Sequence, residues 1–460
     1  MREKRGIMKT DYTGDLLLHT LLCCCLLMPL PAQAGWEGDP PLQKTYKEHE
    51  FLAACREGNG PALQFYLDLK GFDPSREYSS GLTHEKVTGL HIASQNGHTE
   101  VVSRLIAAKA DLHRSCLDGA VPLHLASQNG HTKVVRNFIA AGADLNRSCV
   151  GGETPLYLAS QNGHVEVVSI LTAAGADTEP SYHNERTPLL IASYNGHAEV
   201  VSILTAAGAD LHRSCFKGAT PLFVASQNGH TEVVRSLITV GADVDRSCVN
   251  GTTPLFIASQ NGHTEVIRML VAAGADAHRA NHSGATPLFV ASQNGHTQVV
   301  KSLISAGVDI DRSRKGGATP LFMASQNGHT EVVKSLITAK ADPDRSCLDG
   351  ATPLLVASQN GYAEVVRILV EAEANPCLSW FSSYPRALGQ QTPLTQAKSR
   401  KWVTLPGTVK RKAYNDIISI LSQAQNRRPS VVQGDANNSP DETTPLFSSM
   451  KRLSLSGKPT

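Results

Sequence analysis

Residues Ala219–Gly251 read ATPLFVASQNGHTEVVRSLITVGADVDRSCVNG, and nearly the same text returns every 33 residues. The proline of its Thr-Pro-Leu opening recurs at Pro122, Pro155, Pro188, Pro221, Pro254, Pro287, Pro320 and Pro353, with Gly89 in that place in the first clear copy. A fixed period of roughly 20–50 residues marks a solenoid, in which each unit covers its apolar face with the next. A chain of 460 residues would otherwise suggest about three domains. A solenoid grows without starting new cores.

Within the unit, Thr220 is an N-cap whose hydroxyl accepts from a free amide of the first turn, and Pro221 fits the first helical position. Leu222, Val224 and Ala225 give a short helix its buried face. Asn228-Gly229-His230 stops it, the glycine being free to take positive φ. Thr231 is expected to cap a second helix, with Val233, Val234, Leu237 and Ile238 at the spacing of an apolar stripe. Gly241 closes that helix, and Ala242 to Thr253 carries the turn residues of an extended finger.

This unit resembles the ankyrin repeat, whose pattern runs D-x-x-G-x-T-P-L-H-x-A-A-x-x-G-H and then G-A-D. Asp349 to Leu354 matches the opening, and Gly328-His329 and Gly274-Ala275-Asp276 match the later marks. The resemblance covers about Glu48 to Ala424. It implies an all-α solenoid, a curved stack of helix-turn-helix units with β-hairpin fingers. It also implies a non-enzymatic role, binding a partner protein through finger tips and the concave helical face.

Around the repeats the chain is expected to divide as follows. Residues 1–34 have the order of a secretory signal: Arg2, Lys4, Arg5 and Lys9, an apolar run from Leu16 to Met28, then a small-residue site at Ala32–Ala34. The run is too short to span a bilayer, which takes about 20 residues. Export to the periplasm or the exterior follows, with delivery to a host cell as one destination; a cytoplasmic protein is the alternative, since Asp11, Asp15 and His19 suit a signal poorly. Residues 35–47 read as a linker and 48–86 as an N-terminal cap with a long finger. Nine regular repeats occupy 87–375, a degenerate C-terminal cap 376–424, and a disordered tail rich in Ser, Pro and Asn 425–460.

The histidines at His98, His131, His164, His197, His230, His263, His296 and His329 form a ladder that invites a metal reading. Helices pack about 8–10 Å apart, so neighbouring rungs do not share an ion needing ligands near 2.1 Å. The resemblance implies instead a histidine that steadies the turn between helices. Cys116, Cys149, Cys215, Cys248 and Cys347 all follow Arg-Ser, one per finger, beyond the roughly 7 Å reach of a disulfide, so free thiols are expected. Free thiols sit badly with an oxidising compartment. No phosphate-binding loop, dinucleotide fingerprint, nucleophile elbow or H-E-x-x-H occurs, and no cofactor is expected.

Where the copies differ, binding positions are sought. The finger Glu179 to Arg186 lacks both Arg-Ser-Cys and the turn glycine, and Tyr194 replaces the usual glutamine behind it. Tyrosine and arginine are enriched in binding hot spots, so Tyr182, His183, Arg186 and Tyr194 are the first candidates. Variable tips add Phe216 and Lys217, Asn281 and His282, and Arg314 and Lys315. A glutamine ladder from Gln95 to Gln359 should line the concave side. No small-molecule substrate is implied, and a monomer is expected. Lys109, Lys340 and Glu373 stand where the helix-ending glycine belongs, each at a cost of about 1 kcal/mol if φ stays positive. From Pro376 to Asn415 basic residues alternate with aromatics and no acid occurs. A soluble charged cap is the first reading of that stretch; nucleic-acid or anionic-membrane contact is the alternative.

Overall fold

The Thr220 hydroxyl accepts from the Phe223 amide at 3.2 Å, Pro221 opens the helix Pro221–Asn228, and Gly229 ends it at φ 76°. The second helix, Thr231–Thr239, starts one residue earlier than a Thr231 cap requires. His230 is its N-cap, without a side-chain cap bond, because its imidazole is engaged with the Tyr194 carbonyl. Gly241 follows at φ 91°. In the second regular repeat Val121 holds the cap position without a hydroxyl, and the His124 ring accepts from the Val121 amide instead.

The computed structural model describes residues 40–79, 86–180, 186–215, 217–378, 392–405 and 407–427. The expected signal at 1–34 and the tail from 428 onward lie outside the described residues. Among the described residues 22 helices form a single row of helix pairs. Each first helix packs on the first helices of the repeats on either side and on its own second helix.

One continuous core threads the row from Phe51 to Leu421. In the quoted unit it takes Leu222, Ala225, Val233, Val234 and Leu237, all essentially without solvent contact. A second apolar layer is built by the residue after Pro-Leu. Phe223 packs with Leu190, Cys215 and Val224, Phe256 with Phe289 and Val290, and Phe322 with Leu355 and Val356. His91 and His124 occupy the same position polar and buried, and their Nε2 atoms reach the carbonyls of Ala120 and Glu153.

The caps differ in extent from the sequence reading. The first helix runs Pro40–Glu57 and so begins inside the stretch read as linker, and its partner is Gly60–Leu67. Gly89 replaces the repeat's proline because the cap leaves no room: an added Cβ would stand 2.7 Å from the Phe51 ring and 2.8 Å from Cys55 Sγ. The last pair is Pro393–Val403 and Val409–Arg427, the latter extending past the expected end at Ala424. The fingers are closed turns more than paired strands. Among the described residues the only strand pair is Tyr78–Ser79 with Lys86–Val87, in antiparallel register. Lys109, Lys340 and Glu373 keep φ at 62°, 68° and 61°, the only non-glycine residues with positive φ among those described.

Candidate interaction surface

Among the described residues, several fingers close on themselves through backbone bonds backed by a side chain. In the finger after Thr231–Thr239, Cys248 N donates to Thr252 O at 3.0 Å and Gly251 N to Cys248 O at 2.9 Å. Asn250 Oδ1 accepts from the Thr252 amide, as a short polar side chain does in a turn. Asp118 and Asp349 play the same part in their fingers, with Gly119 and Gly350 at φ 79° and 84° behind them.

The fingers are also tied to one another. Val249 N donates to Lys217 O (3.2 Å), His282 N to Asn250 O (3.0 Å), Lys315 N to Ser283 O (3.1 Å) and Leu348 N to Gly316 O (3.0 Å). Val150 N makes the same bond to Asp118 O at 2.8 Å. The backbone of each donating residue is thus fixed, while its side chain is presented outward. Three of these are large aliphatics in water, Val150, Val249 and Leu348, which are 66, 71 and 85% exposed; Leu117, after the first finger cysteine, is 65% exposed. Sequence reasoning passed over them, although their place directly after each finger cysteine was a visible signal.

A further rail lies at the base of the fingers. Asp177 N donates to Asn146 Oδ1, Asp210 N to Glu179 Oε1 and Asn375 N to Asp344 Oδ1, at 2.7–2.8 Å. Burial pushes the Glu179 and Asp311 carboxyls above the usual carboxylate range, against the amides they accept from.

The candidate residues do not gather at one point. Tyr182, His183 and Phe216 lie outside the described residues. Arg186 is half-buried and hydrogen-bonds the phenol of Tyr157, which burial pushes up to about 12. Tyr194 packs beside the Leu190–Phe223 layer, and its carbonyl accepts from His230 Nε2 at 2.9 Å. Lys217 and Lys315 are exposed on the finger edge, and Arg314 lies over the Phe289 ring at 5.7 Å.

The thiols are held in their own turns. Cys149 Sγ donates to Glu153 Oε2 at 2.7 Å and Cys347 Sγ to Asp349 Oδ1 at 2.6 Å. Burial first, and then these carboxylates, push the Cys149 thiol up to about 12 and that of Cys347 to about 11. Among the described residues no group of three or more His, Cys, Asp and Glu could hold a metal ion.

The histidine ladder turns out to join repeats. His131 Nε2 meets the Gln95 carbonyl, His164 that of Gln128, and His329 that of Gln293, at 2.8–3.0 Å. The glutamine main chain, more than its side chain, is what each neighbour grips.

Stacked helix pairs, rigidly tied turns and a ladder every 33 residues define a solenoid repeat protein. Family models for ankyrin repeats match residues 51–149, 90–182, 142–215, 174–248, 208–281 and 288–379 (three copies), and 261–304 (many copies). The chain belongs to the ankyrin repeat family, whose repeats are protein–protein interaction modules. Among solved structures it is similar to the human ASB11 ankyrin repeat domain, with 28% identity over 48% of this chain and 99% of that one, at a TM-score of 0.45. No curated protein matches it.

Proposed function

We propose that the chain is a non-enzymatic module that binds a partner protein along its finger edge. The observation that carries this reading is the row of exposed aliphatics Leu117, Val150, Val249 and Leu348, the last three on backbone already fixed by finger-to-finger hydrogen bonds. A pre-ordered apolar contact loses little conformational freedom on binding. Lys315 holds the same finger position as Val249, and Lys217 lies beside it, its carbonyl accepting from Val249 N; these two exposed cations supply charge selectivity. Tyr182, His183, Arg186 and Tyr194 stay candidate contacts on their sequence alone. A photo-crosslinking side chain at Val249 or Leu348 should give one dominant adduct in the protein's own cells, lost with Lys315→Glu. The same side chain at Arg235, on an exposed second-helix face, should give none. Identical adducts from both faces would sink this reading.

The uniformity of the copies favours a second reading, a spacer without a defined partner. Alanine changes at Tyr182 and Arg186, and at Val249 and Leu348, would then leave every interaction untouched. Export as an effector is part of the proposal. It is supported by the order of residues 1–34, and by the Cys149 and Cys347 thiols, whose raised pKa keeps the reactive thiolate scarce in an oxidising compartment. An intact mass starting at Gly35 is the expected result; a mass starting at Met1 or Met8 means a cytosolic scaffold.

A further inference from the structure

The last helix pair departs from the others at its turn. In the regular repeats the second helix begins directly after the ladder residue, as Thr231 follows His230. In the last pair Tyr414 takes the ladder position. Its hydroxyl donates to the Gln359 carbonyl at 2.9 Å, and its ring lies 3.2 Å from where a Cβ on Gly361 would stand. Yet its helix begins at Val409, five residues earlier, and the preceding helix has 11 residues where Pro353–Asn360 has 8. At about 1.5 Å per residue, five residues carry the connection about 7 Å past the turns of the neighbouring repeats.

This prong is apolar at its end. Trp402, Val403, Leu405 and Val409 are 84, 81, 75 and 87% exposed. Around them stand Lys398, Arg400, Lys401, Lys410, Arg411 and Lys412, and no acid falls between Glu373 and Asp416. On the regular second helices the exposed cations face acids one turn away, as in Arg235–Glu232, Arg268–Glu265 and Lys334–Glu331. None of the six cations on the prong is in an ion pair among the described residues; Arg411 donates to the Thr404 carbonyl and braces the connection.

We propose that the prong is a peripheral membrane contact that inserts into the interface of a bilayer bearing anionic headgroups. Tryptophan partitions to the headgroup level, aliphatic side chains to the acyl boundary, and a ring of cations is drawn to the negative surface. A single-stranded nucleic acid would engage the cations and Trp402, but it offers no apolar depth to Val403, Leu405 and Val409. No helix among the described residues is long and apolar enough to cross a membrane, so the contact is at the surface. The prong joins two helices of one repeat, whereas the fingers join successive repeats at the other ends of the helices. Membrane contact therefore leaves the finger edge open to a protein partner.

Co-flotation of the full chain with vesicles of phosphatidylcholine, alone or mixed with phosphatidylserine, tests the proposal. The protein should float with the mixed vesicles only, and release as salt rises from about 50 to about 500 mM. The double variant Trp402→Ser/Leu405→Ser should lose at least about tenfold in partitioning. Both side chains are exposed, so its helical circular dichroism and melting should match the parent's. Lys410→Gln/Lys412→Gln should weaken flotation in the same way. Failure of the parent to float with mixed vesicles overturns the prong, as does undiminished flotation of Trp402→Ser/Leu405→Ser. Tighter binding to a single-stranded oligonucleotide that survives the double variant assigns the cations to nucleic acid instead.

Discussion

The imidazole of His263 lies directly over Gly229 of the preceding repeat: a Cβ there would stand 2.5 Å from Nδ1, while Nε2 bonds the Gln227 carbonyl at 3.0 Å. One ring therefore reads two features of its neighbour, a missing side chain and a backbone acceptor. Gly229 is constrained twice, by this contact and by its φ of 76°. His263→Ala should cost about 1–2 kcal/mol for the lost hydrogen bond and packing, and Gly229→Ala at least about 1 kcal/mol for backbone strain. The double variant should cost less than the sum, since removing the ring removes the clash. Denaturant melts of the four proteins check this; strict additivity would separate the ring from the glycine.

Lys109, Lys340 and Glu373 end their helices in the left-handed region, where the other repeats use glycine. Lys109→Gly and Lys340→Gly should each stabilise by about 1 kcal/mol, and Gly241→Ala should destabilise by a similar amount. Hydrogen exchange in Thr99–Ala107 and Thr330–Thr338 should slow accordingly. Unchanged exchange would mean these positive angles carry no strain.

Acid should loosen the N-terminal end first. Burial holds the His91 imidazole down at about 4, and that of His124 below the usual range, against the opposing pull of Asp118. The unfolded chain binds protons at each site near pH 6.5 while the folded chain does not, so stability is full above that pH and falls towards pH 4. For His91 the loss is on the order of 3 kcal/mol across that window. Phe223 shows that the position accepts an apolar ring, so His91→Phe should flatten stability between pH 6.5 and 4. An unchanged pH profile would place the acid sensitivity in carboxylates elsewhere.

The thiols of Cys149 and Cys347, pushed up to about 12 and 11, should alkylate slowly at pH 8 relative to the exposed Cys377. Glu153→Gln removes the carboxylate that holds the Cys149 thiol protonated, and should speed its alkylation several-fold. Site-resolved mass spectrometry of partly modified protein reads both rates. Equal rates at Cys149 and Cys377 would show that the finger turns open freely.

Much of the fold was legible because its signals are short-range. A threonine before proline, a glycine eight residues after that proline and an apolar stripe each act within one turn of chain, so Thr220, Gly229 and Val233–Val234 announced their helices unaided. The misplaced cap at Thr231 has the opposite cause. A threonine can cap locally, and only the next-door contact that occupies His230 sets the boundary. The candidate surface was less legible. Copy-to-copy variation pointed to Tyr182, His183 and Phe216, which lie outside the described residues, and to Arg186 and Tyr194, which are engaged in packing. It missed Val249 and Leu348, which look unremarkable beside any other aliphatic until their exposure is known.

By itself the sequence determined the period, the helix pair within it, the threonine cap and proline that open the first helix, the turn glycines and the three non-glycine helix ends, because each depends on neighbours a few residues away. Tertiary structure decided what the repeats do to one another. Ladder histidines grip carbonyls 36 residues back, finger-base acceptors serve amides 31 residues on, and the last pair carries Trp402 and Leu405 beyond the turn edge. Those relations depend on the distance between stacked units, which no single repeat encodes.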